Sequence, residues 1–136
     1  MNRTRSKSIF AVLTLAIVFG LAAGGCFGPK NYTESDTGKT IETKVGKQFT
    51  ISLRGNATTG FTWQMAKGTD SAVVKKVKDV YTAENSGGKV GVGGTHVWTF
   101  EGVKAGTTTI NLQYKRTWEK QTPPANTLEY IIKVAK

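Results

Sequence analysis

Apolar and polar positions alternate with a period of two along most of the chain from Ile41 onward. Ile41, Thr43 and Val45 fall on one face of a first run, and Phe49, Ile51 and Leu53 on one face of a second. Phe61, Trp63 and Met65 mark a third, His96, Trp98 and Phe100 a fifth, and Ile110, Leu112 and Tyr114 a sixth. Leu128, Tyr130, Ile132 and Val134 make the seventh. Successive side chains of a strand point to opposite faces, so each run predicts a half-buried β-strand. Aromatic and β-branched residues dominate the apolar positions, as a pleated surface favours. The fourth run, Ala72 to Thr82, also fits a helical face through Val73, Val77, Val80 and Tyr81. Four valines and a tyrosine in eleven residues between strands favour β there. Val45-Gly46-Lys47 separates the first two runs, and Val103 to Gly106 reads as a tight hairpin between the fifth and sixth. Seven short strands with such turns predict an all-β, immunoglobulin-like antiparallel sandwich over residues 40–136.

The amino terminus departs from this pattern. Asn2 to Lys7 is basic, Ile9 to Ala23 is apolar, and Gly24-Gly25-Cys26 follows before the composition turns polar. This is the three-part layout of a secretory signal over residues 1–25. Its apolar stretch is about 15 residues, short of the roughly 20 that a spanning helix needs. Cys26, the sole cysteine, directly follows small residues, which resembles the lipobox of bacterial-type lipoproteins. Ala23 departs from that pattern, which favours Leu three residues before the cysteine. The resemblance implies lipidation of Cys26, export, and a lipid anchor in a cell-envelope membrane on its periplasmic or extracellular face. Residues 26–39 are then a lipidated start and a polar tether, with no periodic apolar positions from Phe27 to Lys39.

Removing residues 1–25 from 136 leaves 111, room for one sandwich domain. It also removes Arg3, Arg5 and Lys7, so 19 − 3 = 16 positive charges face 9 negative, a net +7. Lys75, Lys76 and Lys78 form the densest basic run but are interleaved with Val77 and Asp79, the pattern of a solvated strand face rather than of a nucleic-acid groove. Attraction to anionic lipid or an acidic partner is the better use of this charge. Catalysis lacks its parts. One histidine, His96, sits within an alternating strand run, and a packed, hydrogen-bonded role suits it there. No His, Cys or carboxylate cluster has the spacing of metal ligands, and the acidic residues are scattered. The chain reads as a non-enzyme without cofactor or metal.

Three unusual connections remain: Gly55-Asn56-Ala57-Thr58-Thr59-Gly60, Gly91-Val92-Gly93-Gly94 and Lys115-Arg116-Thr117-Trp118. Each follows an even-numbered run. Where every strand crosses the sandwich once, such connections emerge at the same end, so the three loops form one compound surface. A tryptophan in a polar turn ahead of Pro123-Pro124 is costly to leave in water, and Arg and Trp are enriched at binding hot spots.

In this order the segments resemble the chagasin family, inhibitors of papain-like cysteine peptidases. That family carries Asn-Pro-Thr-Thr-Gly, Gly-x-Gly-Gly and Arg-Pro-Trp motifs on three loops of an immunoglobulin-like sandwich. The matching residues are Asn56, Thr58, Thr59 and Gly60, then Gly91, Gly93 and Gly94, then Arg116 and Trp118. Ala57 and Thr117 stand where the family has proline. The resemblance spans residues 41–134 and implies that these loops occlude a peptidase cleft, with no chemistry of their own. The implied partners are a papain-like cysteine peptidase and, through Cys26, a membrane; a monomer is expected. The residues alone also fit an immunoglobulin-like adhesion or ligand-binding lipoprotein that uses the same loops.

Overall fold

The computed structural model describes residues 28–85 and 87–136. The signal sequence expected over residues 1–25 and the lipid site at Cys26 lie outside them. The described chain is a two-sheet β-sandwich of eight strands: β1 (Lys30–Tyr32), β2 (Thr40–Lys44), β3 (Gln48–Gly55), β4 (Phe61–Met65), β5 (Val74–Ala83), β6 (Gly94–Gly102), β7 (Gly106–Arg116) and β8 (Asn126–Ala135). One sheet has the order β1-β3-β6-β5 and the other β2-β8-β7-β4. The all-β immunoglobulin-like sandwich is the one that the alternation predicts, with two additions. There is an eighth strand, and the pairs β1/β3 and β2/β8 are parallel rather than antiparallel.

The alternating residues meet between the sheets. Phe49, Ile51 and Leu53 of β3 and Trp98 and Phe100 of β6 face Ile110 and Leu112 of β7 and Tyr130 and Ile132 of β8, all essentially without solvent contact. Each such side chain contributes about 1.5–3 kcal/mol on full burial, so these rows hold the two sheets together. Phe49 and Phe100 stack with centroids 5.6 Å apart. The Tyr130 hydroxyl donates to the Thr33 carbonyl at 2.9 Å, and burial pushes its pKa well above the usual tyrosine range.

Three features differ from the sequence reading. Residues 30–39 are not a free tether: β1 pairs with β3, Tyr32 packs edge-on against Phe49, and a 3-10 turn follows at Glu34–Asp36. A three-residue strand is too short to show a period, so composition alone reads it as linker. Val103 to Gly106 closes no hairpin, because β6 and β7 belong to different sheets. Its backbone bonds instead to the β4–β5 connection, with Val103 N–H donating to the Val73 carbonyl at 2.8 Å. Val45, expected on the buried face of the first run, lies past the end of β2 and is 45% exposed.

The fourth run is a strand, and its helical look has a physical cause. β5 is an edge strand with a bulge between Lys76 and Lys78, which places one extra residue, Val77, in the run and breaks the period of two. Only Val74 of β5 is buried. The exposed lysines blunt this edge against pairing with another chain.

Candidate functional site

Strand register brings the three loops to one end. Gly55 at the end of β3 pairs with Gly94 at the start of β6, Gly94 pairs with Ala83 at the end of β5, and Phe61 at the start of β4 pairs with Arg116 at the end of β7. The connections β3–β4, β5–β6 and β7–β8 therefore leave the sandwich together, as strand parity requires.

The first loop is a closed turn. Asn56 caps a 3-10 turn over Ala57–Thr59: its side-chain oxygen accepts from Thr58 N–H at 3.1 Å, and its carbonyl accepts from Thr59 N–H and, at 2.6 Å, from the Thr59 hydroxyl. Gly60 ends the turn at φ +82°, in the left-handed region where glycine carries no Cβ penalty. Below the turn, the Tyr114 hydroxyl accepts from Asn56 N–H at 2.9 Å, and Trp63 Nε1 donates to the Arg54 carbonyl at 2.8 Å. Beneath it the Tyr114 ring stacks on Phe61 with centroids 5.4 Å apart and lies tilted against Trp63 at 5.0 Å. A cavity of about 70 Å³ remains under Asn56 and Ala57, lined also by Tyr81 and His96.

The other two loops bind to the first. Asn56 Nδ2 donates to the Gly91 carbonyl at 3.0 Å, and Arg116 Nε donates to the Thr59 carbonyl at 3.2 Å. The Arg116 guanidinium lies 4.4 Å over the Phe61 ring and pairs with Glu119 at 3.1 Å. The Trp118 ring lies against Gly60, where any Cβ would overlap it, yet Trp118 stays 65% exposed. It is therefore a surface side chain seated on the first loop, not a core residue.

His96 takes the packed role expected of it. Its ring stacks on Trp98 at 3.7 Å and donates from Nε2 to Asp79, which Lys76 also contacts at 3.1 Å. Burial alone raises the Asp79 pKa, but the hydrogen bonds from His96 and Lys76 outweigh it and hold the carboxyl below its usual value. The Tyr81 ring stands edge-on to His96 and sends its hydroxyl toward Ala57 N–H, 3.5 Å away. The described residues contain no group of three His, Cys, Asp or Glu side chains that could hold a metal ion.

With this geometry in place, comparison with known proteins is decisive. Residues 42–134 match the profile of the family described as Chagasin family peptidase inhibitor I42. The chain belongs to the chagasin family. As a member it is a peptidase inhibitor, not an enzyme. It is 33% identical over 101 residues to Amoebiasin-2 of Entamoeba histolytica, spanning 74% of this chain and 80% of that one. Its fold is similar to the crystal structure of the cysteine protease inhibitor EhICP2 from Entamoeba histolytica, with a TM-score of 0.70 and 29% identity over 79% of this chain and all of that one. Leishmania mexicana ICP is similar too, with a TM-score of 0.56 and 27% identity over 79% of this chain and 90% of that one.

The chagasin-type positions divide by exposure. Thr58, Thr59, Gly91 and Trp118 are exposed, whereas Asn56, Gly60, Gly93 and Arg116 are half-buried and Gly94 is buried. The inner set shapes the surface. A Cβ on Gly94 would overlap the Tyr81 ring, and one on Gly93 would stand 3.0 Å from the Gly55 carbonyl oxygen, so both glycines let strands and loop approach closely. Tyr81 and Tyr114, the bed of the first loop, were not singled out from sequence. The available signal was a pair of polar-tipped aromatics near the loop ends of β5 and β7.

Proposed function

We propose that the chagasin-type loops act as one wedge that occludes the active-site cleft of papain-like cysteine peptidases. The observation that carries this reading is the mutual bonding of all three loops: Asn56 to Gly91, Arg116 to Thr59, and Trp118 on Gly60. Thr58 and Thr59 form the tip that enters the cleft near the catalytic cysteine, while the glycine loop and Trp118 grip on either side. The tip resists cleavage because its peptide groups are closed in a 3-10 turn, with the Asn56 and Ala57 carbonyls already accepting from Thr59 and Gly60 N–H. No extended peptide bond is presented for in-line attack. A first loop ordered before docking also keeps its share of the entropic cost of binding low.

The second part of the reading is location. Cys26 is the lipid attachment point of an exported, monomeric chain held at the envelope membrane, supported by its place as the sole cysteine behind a signal-like segment. Replacing Cys26 by Ser moves the protein out of the detergent phase and leaves inhibition by the folded domain intact.

Titrating papain with the domain of residues 28–136 tests the inhibitory reading. The expected result is tight, reversible, stoichiometric loss of papain activity, with serine and metallopeptidases unaffected. Unchanged papain activity at large molar excess of folded domain promotes the adhesion reading instead.

A further inference from the structure

The end of the sandwich opposite the loops carries a surface of its own. β1 runs parallel to β3 with Lys30 beside Phe49, so the chain enters the fold at the far end of β3 from Gly55. Seven residue steps along that strand, Gln48 to Gly55, separate the two ends by about 23 Å. β2 ends there too, with Lys44 beside Ala135 of β8, and the 45–47 turn brings in Lys47. An open hollow of about 490 Å³ is lined by Gly28, Lys30, Glu42, Lys44 and Lys47, and an adjoining one of about 350 Å³ by Lys30, Lys44 and Lys133.

These four lysines are exposed and, among the described residues, make no ion pair, whereas Lys39, Lys75 and Lys76 each hold a carboxylate. Glu42 is the one carboxylate lining the hollows, which leaves a net charge of +3. Glu101, nearby on β6, is occupied by Gln48 and Lys75.

The geometry points to this basic end as a docking surface for anionic phospholipid headgroups, which sets the domain upright on its membrane with the inhibitory loops facing away. The inference rests on the lipid-anchor reading of Cys26. Two residue steps separate Cys26 from Gly28 in the hollow, and a chain spans at most about 3.6 Å per residue, so the Cys26 backbone lies within about 7 Å of Gly28 whatever its path. That is less than a Debye length of about 8 Å at physiological salt, so acylation would hold the Gly28 rim of this basic hollow where headgroup charge is only partly screened. The four lysines line two open, adjoining hollows rather than one enclosed pocket, which suits a sheet of headgroups better than a single small anion.

The test uses the full chain as cells produce it. Intact mass first reports whether Cys26 is acylated, which decides the anchor by itself. The purified chain is then bound to vesicles of phosphatidylcholine with or without phosphatidylglycerol, and its amines are labelled and located by mass spectrometry. Labelling of Lys30, Lys44, Lys47 and Lys133 is expected to slow several-fold only on vesicles containing phosphatidylglycerol, with Lys89 and Lys120 near the loop end unchanged. Each lysine near an anionic surface is worth roughly fivefold in binding, so a net three charges give about a hundredfold preference for phosphatidylglycerol. High salt and the combined K30Q, K44Q, K47Q and K133Q variant are expected to abolish it. If Cys26 proves unacylated, co-flotation of that chain with the two vesicle types and the lysine variant still decides the docking surface. Equal labelling with and without phosphatidylglycerol, a variant that keeps the preference, or protection at Lys89 and Lys120 overturns the proposal.

Discussion

The first loop and the glycine loop sit side by side, yet they are built in opposite ways. Every residue from Asn56 to Gly60 makes a hydrogen bond to the turn itself, to Tyr81 or Tyr114 beneath, or to a neighbouring loop, and Trp118 covers the end. The glycine loop is held near its margins, by Glu84 N–H on the Gly93 carbonyl and by Asn56 on Gly91. Between them Gly87 and Gly88 take positive φ with open space around them, and Val90 is 98% exposed. The difference assigns roles. A stiff tip enters a cleft without losing freedom, while a loop with glycine at four of its seven positions from 87 to 93 can fit its backbone to whatever wall lies beside that tip, at an ordering cost met on binding.

The largest way to break the contrast is Gly60→Ala. A non-glycine residue at φ +82° costs about 1–2 kcal/mol, and its Cβ would displace Trp118. The melting temperature and the inhibition of papain should therefore both fall. Trp118→Ala separates the two effects, because the ring is mostly exposed. Inhibition should weaken by about 2 kcal/mol or more, the usual mark of a hot spot, while the melting temperature barely moves. A large drop in stability with unchanged affinity per folded molecule would remove Trp118 from the site.

Acid probes the bed under the stiff loop. Asp79 has a folded pKa below its usual 3.8, so its bonds to His96 and Lys76 contribute stability that is fully present above pH 3.8 and lost as the pH falls through the lower folded value. Melting curves of the wild type should decline over that window, and those of Asp79→Asn should be lower near neutrality and flatter in acid. Equal slopes for the two proteins would take Asp79 out of the account.

Stiffening is the smallest effect and runs the other way. Ala57 opens the 3-10 turn behind an extended Asn56 (φ −130°, ψ 92°), and Thr117 follows Arg116 in the turn closed by Glu119 N–H on the Arg116 carbonyl. Both are positions that accept proline. Ala57→Pro gives up only the long 3.5 Å contact to Tyr81. If the 0.4–1 kcal/mol typical of such stiffening in folding carries over to docking, each variant should bind papain roughly two- to fivefold more tightly through slower dissociation. Weaker binding with the fold intact would show that the loop backbones differ from those the family prolines set.

How far this could be read from the chain depends on where the information lies. The β3, β6, β7 and β8 rows were legible because burial on one face writes a period of two, and the common end of the loops followed from counting crossings. The β6–β7 crossing was not, because a short connection, Val103 to Ala105, suits a hairpin and an inter-sheet arch equally well. β1 was too short to carry a period, and the Val77 bulge mimicked a helix by shifting it. Within the site, the motif residues stood out one by one, but which face a partner and which brace the loops depends on contacts between distant segments. Arg116 is the clearest case: a residue type enriched at binding hot spots that is tied to Thr59, Phe61 and Glu119 within the fold.

Hydrogen exchange of the domain, alone and saturated with papain, tests the three-loop wedge most directly. The account predicts that amides 56–60 exchange slowly already in the free domain, that residues 87–93 gain the most protection in the complex, that residues 116–118 also gain, and that the Lys44 to Lys47 end is unchanged. Protection centred on that far end or on the β5 edge, with the three loops unaffected, would contradict it.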